Sequence, residues 1–174
     1  LPLILAMEEP EDKAEYLHSL FQKVYISDIV ERHNVRNKEE LDELVDVLAS
    51  AIGSYTNQNK LVRTFKSVKN KTISDKTIKK YTDYLIDSYL ISKADRYDIK
   101  GKKYIGKLSK YYFEDVGLRN ARLGFRQIEE THLMENIIYN ELRIRGYHMD
   151  DGFHPDRLAG RSCSRSHHTK VTVE

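Results

Sequence analysis

With a single cysteine, Cys163, among 174 residues, the chain has no partner for an internal disulfide and little on which to build a cysteine zinc site. It also lacks any apolar run near the ~20 residues that a helix needs to cross a bilayer. The opening LPLILAM is too short for a secretory signal and has no basic start. A cytoplasmic protein with no membrane partner is therefore the expectation. Leu1 stands where a start methionine would be, so the sequence reads as a fragment. Excess charge of one sign is missing as well, the net being only +2. What remains, 40% apolar and 32% charged residues, suits a folded globular chain.

The small net charge hides a strong sorting. Residues 8–48 hold twelve acids against five bases, whereas residues 60–110 hold fifteen bases against five acids. A segregated basic region is the electrostatic footprint of a polyanion binder. Function is therefore sought in the middle third.

Apolar spacing predicts helices through most of the chain. Leu17, Leu20, Phe21 and Val24 lead into Ile26, Ile29 and Val30, with a shift of the apolar face near Ser27 that predicts two helices or one bent helix. Asn37, with Glu40 three residues on, forms a capping box for a helix carrying Leu41, Leu44, Val45, Leu48 and Ile52, ended by Gly53. Asn57 caps a short helix with Leu61, Val62, Phe65 and Val68. Ser74 caps the next, in which Ile78, Tyr81, Leu85 and Tyr89 form one stripe while Lys76, Lys79, Lys80 and Asp83 fall away from it. A buried back with a basic first turn is what a helix-turn-helix reader offers to a DNA groove. A core helix with a solvated lysine face is the plainer reading of the same stretch.

The period then changes. Residues 92–99 alternate, Lys100-Gly101-Lys102-Lys103 reads as a hairpin tip, and Tyr104 and Ile105 begin a return strand that reaches the β-rich KYYFE at 110–114. Three helices followed by a lysine-tipped hairpin make a winged helix-turn-helix. Asp115 to Gly124 reads as a short helix ended by glycine, and Glu129 to Arg145 as a longer one capped by Gly146. Residues 151–174 are expected to form a disordered, atypical tail. The predicted fold class is mainly α with a small β component.

Four stretches carry a family likeness: YLHSLFQKVYISDIVERHNVRN, SDKTIKKYTDYLIDSYLISKADRYDIKGKKY, KYYFEDVGLRNARLGF and HLMENIIYNELRIRGY. In this order they resemble a large family of prokaryotic predicted AAA-type ATPases, in which a P-loop domain precedes a winged helix joined to a restriction-endonuclease-like domain of unknown function. The resemblance covers about residues 1–150. It implies a helical segment at 1–36 following an ATPase core, a winged helix at 37–114 and the start of the nuclease-like, truncated α/β domain at 115–150. No GxxxxGK[ST] sequence occurs, so the phosphate cradle is missing and this chain is not expected to bind ATP itself.

Catalysis by the fragment is not expected, nor is a cofactor. The resemblance puts Glu135 where the nuclease-like fold has its helical acidic residue, a possible remnant without the Asp and Lys strands that would complete a metal site. Glu129, His132 and Glu135 recur at threes, a spacing more common in surface pairs than in metal sites, and none is assigned a metal. Cys163, His167 and His168 are given no function. The basic set is the candidate site. Lys66, Lys69, Lys71, Lys76, Lys79 and Lys80 flank the reading helix, and Arg96, Lys100, Lys102 and Lys103 flank the wing. These would meet phosphates of DNA without choosing sequence, helped by Asn70, Thr72 and Thr77. The rival is a protein-interaction module, or one contacting the parent's ATPase core, favoured by Tyr81, Tyr84, Tyr89, Tyr97, Tyr104, Tyr111 and Tyr112.

Overall fold

The computed structural model describes residues 2–68, 72–98, 103–126, 129–153 and 170–172. It is mainly helical with a small sheet. After α1 (Pro2–Leu5), α2 (Pro10–Leu20) runs through a π-helical segment, Phe21–Ile26, straight into α3 (Ser27–Arg32). This is the bent-helix alternative. The wider π turn rotates the apolar face, so that Leu17, Phe21, Ile26 and Ile29 all end up buried.

Helices α4 (Lys38–Ser50), α5 (Gln58–Val68) and α6 (Asp75–Asp87) follow, each with the cap its sequence foretold. Asn37 Oδ1 accepts from the Glu40 N–H at 3.3 Å, Asn57 Oδ1 from Lys60 at 2.8 Å and Ser74 Oγ from Thr77 at 3.0 Å. Each bond satisfies an N–H that has no partner within its own helix. Leu41, Leu44, Val45, Leu48 and Ile52 from the first, Leu61 and Phe65 from the second, and Ile78, Tyr81 and Leu85 from the third share one core. That core also takes Leu17, Ile29, Leu118 and Ala121, so the breaks drawn at residues 36 and 114 do not interrupt it.

One member of the expected stripe departs. Tyr89 lies beyond the end of α6, at φ +54 and 76% exposed. The Leu90 N–H bonds back to Leu85 O and the Tyr89 N–H to Ile86 O, a Schellman ending that puts Tyr89 in the left-handed position and folds Leu90 into the core instead.

β1 (Ile91–Asp98) and β2 (Lys103–Phe113) form the expected antiparallel hairpin, paired from Ile91 with Phe113 to Asp98 with Lys103 and irregular between Asp95 and Tyr97. Its tip, residues 99–102, lies outside the described residues. Thr56, between α4 and α5, bridges Ser109 of β2, with both N–H to O distances 2.9 Å. α7 (Val116–Arg122) and α8 (Glu130–Ile144) come next. The chain then returns as β3 (His148–Phe153), parallel to β1, and β4 (Lys170–Thr172), antiparallel to β3, for a sheet order of β2-β1-β3-β4. The expectation of a disordered tail from residue 151 is thus corrected at 151–153 and 170–172, where sheet pairing supplies the order that side-chain composition does not; residues 154–169 lie outside the described residues.

Both faces of β2 are covered near its end. Tyr111 and Phe113 face the helical core, while Lys110 and Tyr112 face α8. α8 is tied down by Asn136, whose amide donates to Phe113 O at 2.7 Å and whose Oδ1 accepts from the Phe113 N–H at 2.8 Å. Asn140 adds a bond to the same carbonyl at 2.8 Å.

Candidate nucleic-acid interface

With Ile78, Tyr81 and Leu85 turned inward, the 3.6-residue period leaves Lys76, Lys79 and Lys80 on the outer face of α6, and all three are exposed. Lys66, in the last turn of α5, is exposed too. Lys79 Nζ lies 3.9 Å from the Asp83 carboxylate one turn on. Lys80 Nζ stands 5.6 Å from the Tyr84 ring centre, and that ring is stacked on His33 at 3.7 Å and 11°. These are surface contacts that a phosphate can replace at small cost. The Thr77 hydroxyl is 2.8 Å from Ser74 Oγ, within the helix cap.

The wing set fares differently. Arg96 is half-buried, its guanidinium 5.4 Å from the Tyr55 ring centre, so it is drawn into the packing under the hairpin instead of standing out for a phosphate. Lys69, Asn70, Lys71, Lys100 and Lys102 lie outside the described residues, and so does the side chain of Lys103.

A second group of cations, which pattern reading missed, is buried. Lys110 is fully buried, its Nζ 2.8 Å from Glu135 Oε1 and 5.0 Å from the Tyr55 ring centre. The Tyr112 hydroxyl donates to the same Glu135 oxygen. Glu135, carried over as a nuclease-like remnant, is thus held between α8 and β2 by a lysine and a tyrosine. Arg119 is 1% exposed and donates from Nε to Ala49 O at 2.9 Å; burial holds its pKa below the ordinary arginine value. Arg122 clamps α7 to α4 through Asp46 at 2.6 Å and Asp42 at 3.0 Å. Burial alone would lower its pKa, but these two carboxylates more than compensate and raise it. The acidic residues of α4 are therefore partly neutralised from within. The one sequence signal for Lys110 was its seat inside the β-rich KYYFE, where alternation puts it on the same side as Tyr112.

His132 Nε2 lies 3.4 Å from Glu129 Oε2, while no group of three or more His, Cys, Asp or Glu side chains converges to hold a metal among the described residues. Cys163, His167 and His168 lie outside the described residues. No described helix is long and apolar enough to cross a membrane.

A family model described as a domain of unknown function (DUF8612) matches residues 1–129. Over 151 residues, or 87% of this chain, the sequence is 34% identical to a protein of Haemophilus influenzae named "Uncharacterized protein", covering 37% of that protein. It is 30% identical over 146 residues, 84% of this chain, to "Uncharacterized protein MJ1544" of Methanocaldococcus jannaschii, covering 32% of that protein. The chain thus spans about a third of the length of these relatives. No solved structure matches.

Proposed function

This chain belongs to the family described as a domain of unknown function (DUF8612), and from that premise we propose that its middle third is a winged-helix module that binds DNA without regard to sequence. The observation that carries the reading is the outer face of α6, where three lysines, Lys76, Lys79 and Lys80, stand exposed on a helix whose other face is locked into the core. Lys66 is exposed in the last turn of the preceding helix. The succession of α4, the Thr56 bridge, α5, α6 and the β1–β2 hairpin supports the winged-helix assignment. Lysines meet phosphates as point charges, so the complex is held by counterion release and weakens steeply with salt. In a longer polypeptide of the resembled ATPase class, such a module delivers DNA to an ATPase core and does no chemistry of its own.

A tyrosine-rich protein interface draws less support. Of its seven tyrosines, Tyr81, Tyr111 and Tyr112 are buried, Tyr84 is half-buried against His33, Tyr89 is exposed, and the side chains of Tyr97 and Tyr104 lie outside the described residues. The test is fluorescence-anisotropy titration of a short labelled duplex across a salt series. Replacing Lys76, Lys79 and Lys80 by Ala is expected to cut affinity at low salt and to reduce the slope of log K against log salt by roughly 3, at about 0.9 per phosphate contact. Unchanged low-salt affinity in that variant rejects the reading.

A further inference from the structure

Helix α6 lays four charged side chains along one line of its outer face. Lys76, Lys80, Asp83 and Asp87 follow one another at steps of four, three and four residues, and all are exposed. Such steps keep them on one stripe, which rises about 16 Å from Lys76 to Asp87. Lys79 stands beside the stripe, its Nζ 3.9 Å from the Asp83 carboxylate. The backbone treats the four positions alike, and charge alone separates them, with cations over the first two turns and carboxylates over the last two. Helix energetics favour the opposite order, because the start of a helix carries partial positive charge and its end partial negative charge. Helices α2, α3 and α8 follow that favoured order, with an acid in the first turn and a base in the last. In α6 Asp75 alone follows it, and the last turn holds Asp87 and no base.

We propose that Asp83 and Asp87 are positioning residues of the nucleic-acid face, holding the phosphate strand to the first two turns of α6. The inference rests on the proposed DNA binding and says where on α6 it takes place. Lys76, Lys79 and Lys80 offer phosphates an attractive patch about 6 Å long along the axis. One turn further on, each carboxylate sets a like charge against the next phosphate. That repulsion falls off over about 10 Å at 0.1 M salt, so it bars the last two turns and fades toward Lys76. The strand therefore crosses the helix near its start instead of running along it. A repulsive element of this kind fixes the register, where a stripe of lysines alone would let the duplex swing along the helix. Asp83 also holds Lys79, but with side chains 54% and 69% exposed that pair gives way to a phosphate.

The test is anisotropy titration of the same labelled duplex across a salt series, using the 174-residue chain with Asp83→Lys and Asp87→Lys together. Two cations in place of two carboxylates should let the strand extend along the stripe. The slope of log K against log salt is then expected to steepen by roughly 2, at about 0.9 per added phosphate contact. Asp83→Asn with Asp87→Asn should tighten binding at low salt at least about twofold while leaving the slope near that of wild type. The control is Glu15→Lys with Glu130→Lys, the same change of charge at exposed sites on α2 and α8, which should leave the slope unchanged. A cation at position 87 suits the end of a helix, so α6 should be kept, and thermal melts will show it. A stripe variant with the slope of the control overturns the proposal and leaves the DNA reading standing. Wild-type affinity in Lys76/Lys79/Lys80→Ala rejects that reading, and the proposal with it.

Discussion

The molecule holds two sets of cations, and they differ in every physical respect except charge. Lys76, Lys79 and Lys80 stand on α6 in water, with a carboxylate at 3.9 Å or an aromatic face as neighbours. Lys110, Arg119 and Arg122 lie at the seams between elements, each committed to an acceptor on another segment or to a carbonyl at 2.6–2.9 Å. Removing a buried cation leaves its partner charge or carbonyl stranded, whereas removing an exposed one leaves only water in its place. The lesson is that lysine count alone says little about a polyanion site; burial decides which lysines are free to meet one.

The sharpest break of this contrast is Lys110→Met. With side-chain exposures of 1% and 13%, the Lys110–Glu135 pair is dry, and loss of the cation is expected to cost about 3 kcal/mol in urea unfolding. Adding Glu135→Gln to that variant should recover most of the loss, and failure to do so would show that Lys110 acts through packing and not charge.

Next comes Tyr111, on the core face of the same strand. Burial pushes its hydroxyl up to about 12. The sign follows from the neutral form being the protonated one: the stabilisation is complete below about pH 10, where the unfolded chain would ionise, and is lost as pH rises toward 12. Wild type should therefore lose roughly 2–3 kcal/mol more than Tyr111→Phe between pH 9 and 12, about 1.4 kcal/mol for each unit of displacement. Parallel alkaline profiles for the two proteins would contradict this.

A smaller effect is expected at Gly53, at φ +67 in the turn that follows α4. A Cβ there would stand 3.0 Å from His132 Nδ1 and 3.4 Å from Glu135 Oε2. Gly53→Ala should cost about 1–2 kcal/mol, from the left-handed backbone together with this contact. Adding His132→Ala should return only the contact's share, leaving the backbone part in the melting temperature.

Smallest of all for stability is the Lys76/Lys79/Lys80→Ala variant, expected within about 0.5 kcal/mol of wild type because surface substitutions away from caps and seams change little. Under the proposed function, the whole effect of this variant falls on DNA affinity. Equal losses of stability and binding in this variant would erase the distinction between the two sets.

Much of this architecture was legible in advance wherever the governing forces are local. The caps at Asn37, Asn57 and Ser74, the stripe of α4 and the hairpin after α6 each depend on residues within a turn or two of one another. Even the shift at Ser27 was visible, although the π turn that accommodates it was not. The exposure of the α6 lysines was legible because period and burial agree there. The contact of Arg96 with Tyr55 was not legible, since alternation along a strand says which residues share a face but not what covers that face.

By itself, then, the sequence determined the helices, their capped ends, the hairpin and the basic face of α6, because hydrogen-bond closure and side-chain period act over a few residues. Only the tertiary structure decided that α8 lies across the second face of β2, which turns Lys110, Tyr112 and Glu135 into a buried network and Asn136 into a clasp on Phe113. The same docking leaves Met134, Ile137, Ile138 and Ile144 facing outward. Those partners are 23 to 25 residues apart in the chain, and no local period connects them. Their meeting depends on packing between elements, which brings distant residues together only once the chain has folded.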